Sequence, residues 1–464
     1  MPWRDSLEPA RMQRVAIIAP REDLRPVLVE VAASGLAELD VTSDTGTGEA
    51  ARRLQRVAQG DSPPTLLKDP PDLDALVQAG RDDLLIGEAQ LEQRSAAAVN
   101  RGLVSAVAGW VPVDDTPDLT GRLAELGAAV VPLPNPRGTD PPTLLHTRGR
   151  LNQPFAPLVD TYATVPYSDV DPTAVAGLAF VFMYGMMFAD AGQGLLLLIG
   201  GIMLRFGRPS SLARFRSAWL FITGAGLAAM FFGVLFGEFF GPTGVLPVLW
   251  VEPLEEPVLL LEVAIGIGAV LLSGAYAIGT MNRWREGGWR LAIVSATGLA
   301  GVAVFLGLGL LLLGAFTGIS WLAATGVVVL IGGLVLTYVG LLAAAGGGGA
   351  GAAQAGVELF DGVLRLGTSL VSFARLAAFG LAHAALGAIV WQATTGLWSG
   401  GGLAMAAAVL VFVIGNTLTF VLQAVVAGVQ ALRLEYYELF SRVFVSEGRP
   451  FRAWLVPTTL ESVP

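Results

Sequence analysis

Cysteine is absent from this chain of 464 residues, which excludes disulfides, thiolate metal sites and cysteine nucleophiles and leaves the redox compartment open. Histidine occurs twice, at His146 and His383, and neither a phosphate-gripping loop nor a metal-ligand cluster is visible, so no cofactor and no catalytic constellation is expected. Lysine occurs once, at Lys68, while arginine, alanine and glycine are plentiful, a bias that fits a GC-rich bacterial genome. Charged residues make up 14% of the chain, against about 25% in an ordinary soluble domain. The net charge of −9 gives no support for nucleic-acid binding. What fills the space is apolar: 53% of residues are hydrophobic, and Leu291 to Val357 runs 67 residues without a charge. About 20 apolar residues span the hydrocarbon once, so this run crosses more than once and the chain belongs in a lipid bilayer.

Charge concentrates at the start. Residues 1–165 read as a cytoplasmic α/β domain, because MPWRDSLEPARMQR carries charge without the apolar core of a cleavable leader. RVAIIAP (14–20) reads as a buried strand, Glu22 to Ser34 as a helix ended by Gly35, and LAELDVT as a second strand, a βαβ-like unit. After the Pro-rich DSPPTLLKDPPD comes a helix over 72–99, then VSAVAGWVP, LTGRLAELG and AAVVPLP, read as a second α/β lobe. Prolines recur from 132 to 172, which points to a linker leading to the bilayer.

Residues 166–445 form the membrane domain, with 446–464 as a cytoplasmic tail. Hydropathy places two short spans in 172–206, separated by DAGQG at Asp190–Gly194, and further spans at 216–240, 257–281, 291–314, 320–345, 368–396 and 403–432, about eight in all. The last two are expected to be long and tilted. Arginines test the count. Arg205, Arg208, Arg214 and Arg216 flank or occupy 207–215, Arg283, Arg285 and Arg290 occupy 282–290, and Arg442, Arg449 and Arg452 follow the last span. The stretches 241–256, 315–319 and 397–402 hold no Lys or Arg, and the first holds Glu252, Glu255 and Glu256. Positive-inside bias then puts both termini in the cytoplasm. The glycine-rich tract 343–356 reads as a flexible cytoplasmic connector.

Two arginines stand out. Between Arg375 and Arg433 no Asp, Glu, Lys or Arg occurs, and His383 is the one titratable side chain. An arginine within lipid costs roughly 2.5 to 3.5 kcal/mol on insertion scales, so one kept there faces an ion path or a carboxylate. Asp361, Arg365, Thr368, Ser372, Arg375 and His383 recur at spacings of 4, 3, 4, 3 and 8, near one face of a helix. Asn416, Gln423 and Gln430 follow at steps of seven, with Arg433 three further on, as a second polar seam. Interhelical hydrogen bonding accounts for Ser372, Asn416 or Gln423 taken singly as readily as transport does, and Asp361 with Arg365 fits an i, i+4 ion pair equally well. Arg433, near a helix end, can snorkel.

Several ordered words resemble the membrane-bound a subunit (subunit I, the 116 kDa subunit family) of rotary V/A-type ATPases. VDPTAVAGLAFVFMYGMMFADAGQG is similar to the family's DPT start and FGMMFGDxGxG break, and FFGVLFGEFFG to its third span. SFARLAAFGLAH is similar to SYxRLxALxLAH, ALRLEYYELFSRVFVSEGRPF to the terminal LRLHxxEFxSKFxxGxGxxF, and VSAVAGWVP to the soluble GWVP signature. The stretch PTLLHTRGRLNQPFAPLVDTYATVPYSDVDPT also looks like the one that leads into the first span.

The resemblance implies a non-catalytic stator with two ion half-channels beside a ring of c-type proteolipid subunits, attached to peripheral-stalk and central-stalk subunits, in a bacterial plasma membrane. It matches Arg375 to the family's essential arginine and Arg433 to its second one. His383 matches the LAH histidine, Gln430 a polar partner before the second arginine, Asp361 a cytoplasmic-side acid and Asp190 the acid of the GD break. Two positions depart: Gln423 stands where many members have glutamate, and Glu435 where many have the histidine of LRLH. The soluble domain is also short for the family, with one helix where a long hairpin is usual. A ring-independent secondary transporter or ion channel is the competing reading, and a membrane scaffold a third; the lack of an internal repeat weakens the first of these.

Overall fold

A computed structural model describes residues 9–41, 48–55, 62–136, 139–145, 153–207, 216–444 and 447–459. His146, Arg208 and Arg214 lie outside the described residues. The chain divides into two compact units, residues 8–146 with 448–464, and residues 147–447 with the first seven.

The first unit contains β1 (Met12–Pro20), α1 (Leu24–Ser34), β2 (Glu38–Leu39), α2 (Glu49–Leu54), β3 (Leu66–Leu67), α3 (Leu73–Gln78), α4 (Asp82–Ala96), β4 (Val99–Arg101), β5 (Val104–Pro112), α5 (Thr116–Ala124) and β6 (Ala129–Pro132). Its main sheet runs β2-β5-β1-β6, with β4 added against β5 and every pairing antiparallel. β1 and β2 are therefore parallel with β5 between them, and β5 and β6 parallel with β1 between them: two interlocked split βαβ units. The expected second lobe is instead part of the same sheet, since VSAVAGWVP is the strand paired with RVAIIAP from Met12↔Pro112 to Pro20↔Val104. α1 buries Val27, Leu28 and Val31 against this sheet and stops at Gly35, whose φ of 62° suits glycine and whose N–H donates to the Val31 carbonyl. The helix expected over 72–99 is interrupted between α3 and α4, where Gly80 takes φ 65°.

The segment after Gly448 is built into this unit. β7 (Thr458–Thr459) pairs parallel with β3. Trp454 and Val456 are buried in the same core. Trp454 Nε1 donates to Gln90 Oε1 at 3.0 Å, and the Arg94 guanidinium lies 4.2 Å above its ring. Burial there pushes the Arg94 guanidinium down to about 10.

The second unit is helical: α6 (Ala156–Asp160), α7 (Thr173–Met187), α8 (Ala191–Arg205), α9 (Trp219–Phe236), α10 (Pro257–Val294), α11 (Leu299–Thr317), α12 (Ser320–Ala344), α13 (Gly348–Ser372), α14 (Ala374–Trp398) and α15 (Leu403–Leu434), followed by a π-helical turn at Glu435–Phe440. Among the described residues, 6 helical segments are long and apolar enough to cross a membrane, while α7 and α8 are shorter apolar helices of 15 residues each. Small residues let these rods approach closely: a Cβ on Gly233 of α9 would lie 2.1 Å from the Ala191 amide nitrogen of α8.

Three connections differ from the sequence expectation. α10 continues as helix through residue 286 and breaks at Gly287 and Gly288, whose backbone is not helical, so Arg283 and Arg285 lie on the rod and Arg290 on the short helical stretch beyond the break. The glycine tract turns sharply at Gly346 and Gly347, with φ 78° and 76°, and α13 starts within it because the alanines that follow propagate helix readily. The helix expected over 368–396 is two helices, α13 and α14, meeting at the fully buried Phe373.

Candidate functional site

Asp190 separates the two short helices α7 and α8. It is the N-cap of α8, and its carboxylate accepts three backbone bonds: Oδ1 from the Gln193 N–H at 2.8 Å and the Phe240 N–H at 3.0 Å, Oδ2 from the Gly241 N–H at 2.8 Å. Its exposure is 0%. The turn it grips is strained, since Phe240 takes φ 52°, a left-handed conformation that a bulky side chain rarely adopts. The acid and the FFG word at the end of α9 thus form one clamp.

Around the clamp polar groups gather from several helices. Gln193 of α8 donates through Nε2 to Asn416 Oδ1 of α15 at 3.4 Å, and Asn416 Nδ2 donates to the Phe412 carbonyl at 3.0 Å. His383 of α14 is buried, its ring 5.0 Å from that of Phe188, and the charge of Asp190 acts on it. Glu238, just past α9, is also buried. It is fixed through its main chain, its N–H donating to the Gly233 carbonyl and its carbonyl accepting from the Ala191 N–H, each at 2.9 Å. Gln193 Oε1, Glu238 Oε2, His383 Nδ1, Gln423 Oε1 and Gln430 Oε1 have no hydrogen-bond partner among the described residues. Such atoms call for water or a ligand.

The two arginines lie toward the other ends of α14 and α15. Arg375 begins α14, where Nε donates to the Ser372 carbonyl at 3.0 Å, and Nη2 lies 3.7 Å from Glu438 Oε1. Its side chain is 23% exposed, so the cation is partly lined and partly free to meet something else. Arg433 is exposed at the end of α15, and its charge acts on Arg375 against that of Glu438. Glu435 is buried with Oε2 unpartnered among the described residues, and it is the first residue of the π-turn that follows α15. π-turns of this kind recur at functional sites.

The second seam holds in space: Asn416 and Gln423 are buried and Gln430 half-buried on one face of α15. The first seam is divided at Phe373. Asp361 pairs with Arg365 at 2.8 Å on an exposed face of α13, while His383 is deep in α14. Sequence reasoning did not single out Glu438, Glu238 or Gln193. Glu438 could have been found as the acid one turn beyond Glu435, whereas Glu238 shows only as a carboxyl inside an apolar word.

A second buried polar cluster joins the stretch before α7 to α10. The Val170 N–H donates to Asn282 Oδ1 at 3.1 Å, Asn282 Nδ2 donates to the Val443 carbonyl, and Arg283 lies between Asp169, at 4.0 Å, and Glu286. Burial pushes the Asp169 carboxyl up from its ordinary range, opposed by the hydrogen bond to Glu286 and the Arg283 charge. The DPT word has a local reason too, because Asp171 Oδ1 accepts from the Thr173 N–H at 3.0 Å and from its hydroxyl at 2.5 Å, starting α7.

Residues 94–247 match the V-type ATPase 116kDa subunit family. The A-type ATP synthase subunit I of Aeropyrum pernix is 26% identical over 417 residues, 76% of this chain and 58% of that protein. The A-type ATP synthase subunit I of Pyrococcus horikoshii is 25% identical over 359 residues, 74% of this chain and 52% of that protein. The V-type ATP synthase subunit I 2 of Treponema pallidum is 32% identical over 143 residues, 29% of this chain and 32% of that protein. The chain spans a little over half the length of the archaeal relatives it matches.

Proposed function

Because this chain belongs to the V-type ATPase 116 kDa subunit family, subunit I, we propose that it is the non-catalytic membrane stator of a rotary ATPase. In this reading it supplies two ion half-channels and works beside a ring of proteolipid carboxyls, joined to the stalk subunits of the complex. α7 and α8 count with the six longer segments as eight spans, and the termini face the cytoplasm. The carrying observation is Arg375, a partly buried cation whose carboxylate neighbour, at 3.7 Å, leaves it free to engage a second acid.

The chemistry follows from the guanidinium, which does not deprotonate in proteins. An opposite charge within about 4 to 6 Å lowers a carboxyl pKa by about 1 to 3 units, so a ring carboxyl arriving beside Arg375 gives up its proton. A shift of about two units is worth roughly 2.7 kcal/mol, comparable to the ~2.3 kcal/mol gained by moving one charge through 100 mV. The same fixed charge blocks direct leakage between the half-channels. His383, Gln423, Gln430, Glu435 and Arg433 line the path in this reading, Asp361 stands at its cytoplasmic side, and Asp190 holds the break that shapes it. Replacing Arg375→Ala should abolish ATP-driven acidification of vesicles while the subunit still assembles with its ring. Normal acidification by that variant would refute the proposal.

A further inference from the structure

We propose that the far end of α10, from Trp284 to Arg290, binds the headgroup of an anionic phospholipid, with Arg285 and Arg290 taking the phosphate and the Trp284 and Trp289 indoles lying at the lipid–water boundary. The placement of this end in the cytoplasmic leaflet rests on the eight-span topology proposed above.

Sequence sets the chemistry. Between Glu262 and Glu358 the chain has one acid, Glu286, and three basic residues, Arg283, Arg285 and Arg290. Arg283 is turned inward: it is 6% exposed and pairs with Glu286 and, at 4.0 Å, with Asp169. Both acids of this end therefore sit against the buried arginine, although the charge of Arg285 also acts on Asp169. Arg285 and Arg290 are exposed, and three cations against two acids leave a positive surplus. Basic side chains at the surface of a leaflet attract acidic lipid.

The backbone break gives the site its shape. On an unbroken helix of about 3.6 residues per turn, Trp284 and Trp289 would point about 140° apart and their rings could not meet. Gly287 (φ −137°, ψ 16°) and Gly288 (φ 70°, ψ −166°) leave helical geometry, the second in the left-handed region that favours glycine. The two rings then lie 5.4 Å apart at 37°, while the residues stay 49% and 61% exposed. An indole has an apolar body and one polar N–H, which suits it to headgroup depth. Met281 before the break and Leu291 and Ile293 beyond it are exposed too, an apolar floor beside the arginines. A phospholipid brings phosphate and acyl chain together, whereas a soluble phosphate would leave this floor in water.

Depth agrees with that occupant. From Pro257 to Glu286 the rod measures about 45 Å at 1.5 Å per residue, against about 40 to 45 Å for a bilayer with its headgroup layers. A helix that begins directly after Glu255 and Glu256 therefore carries Trp284 and the arginines into the headgroup layer of the opposite leaflet.

The test uses the intact complex in vesicles that carry a trace of photoactivatable phosphatidylglycerol or, in parallel, phosphatidylcholine, each with a diazirine near its headgroup. Each arginine at an anionic surface is worth about fivefold in association, so the peptide holding Trp284 to Arg290 should take up the phosphatidylglycerol probe at least about tenfold more. Peptides of α12, which is uncharged, should take up both probes alike. Arg285→Gln combined with Arg290→Gln should bring the first peptide to the level of α12, with the ring recovered alongside the subunit as in wild type. Equal uptake of the two probes at Trp284 to Arg290 would overturn the proposal, as would an undiminished preference in the double variant. Uptake of neither probe, the result expected if another protein subunit covers this surface, would overturn it too. Should the double variant fail to accumulate, wild type decides through salt: the preference over α12 should shrink as ionic strength rises, and a preference indifferent to salt refutes the site. Pumping does not enter this readout, so failure of the stator assignment and failure of the lipid site are told apart.

Discussion

At Asp190 one carboxylate answers three backbone donors drawn from two segments 50 residues apart in sequence. Removing it would leave the Gln193, Phe240 and Gly241 amides buried without an acceptor. An N-cap substitution alone costs about 1 kcal/mol, and each unsatisfied buried donor adds roughly 1 to 3 kcal/mol. Asp190→Ala should therefore lower the thermal stability of the membrane unit by on the order of several kcal/mol. Asp190→Asn, which keeps one acceptor oxygen, should lie between. A melting curve of the detergent-solubilised complex that matches wild type for Asp190→Ala would show the clamp to be dispensable. Sequence alone could flag this acid, because a charge between two apolar helices demands a reason. It could not reveal the donors, since the FFG word that supplies two of them looks like any other apolar turn. Arg375 was legible for the same reason of cost, whereas its neighbour Glu438 was not, because helical periodicity says which residues share a face and not which faces meet.

Elements repeat that division. Helix existence followed from apolar runs, but the interruption at Phe373 did not, because its φ of −71° and ψ of −14° are ordinary helical values and no glycine or proline marks the place. The strand order of the soluble unit was hidden likewise: β1 pairs with a strand nearly a hundred residues later, a non-local choice that local propensity does not encode. The run FRAWLVPTT was too short and irregular to be read as part of a core, yet it places Trp454 at 4% exposure beneath Arg94 and against Gln90. Trp454→Ala should destabilise the α/β unit by about 3 to 5 kcal/mol, the range for emptying a large buried aromatic site. Hydrogen exchange localises the effect: amides of α4 and β3 should lose protection while those of α11 and α12 keep it. Unchanged protection in α4 would mean that the tail packs there without supporting it.

The whole molecule is ordered by where its charges are absent. Up to the break at Gly287 and Gly288, α10 runs from Pro257 to Glu286, about 45 Å of helix at 1.5 Å per residue, half again a hydrocarbon thickness of about 30 Å. Its N-terminal part is apolar apart from Glu262, and Arg283, Arg285 and Arg290 gather near its far end, around the bend at Gly287 and Gly288. The acidic stretch with Glu252, Glu255 and Glu256 precedes its start. In the proposed topology the arginines put that end of α10 at the cytoplasmic face, because the bias that sets orientation is one of Lys and Arg. The absence of native cysteine makes this directly measurable, because any introduced thiol is the sole target for a maleimide. Glu252→Cys and Ser399→Cys, both at exposed positions, should react with a membrane-impermeant maleimide from the outer face of oriented vesicles. Arg290→Cys, also exposed, should react only from the cytoplasmic face. Labelling of Glu252→Cys and Arg290→Cys from the same side would remove the crossing of α10, and with it the eight-span topology in which both termini face the cytoplasm.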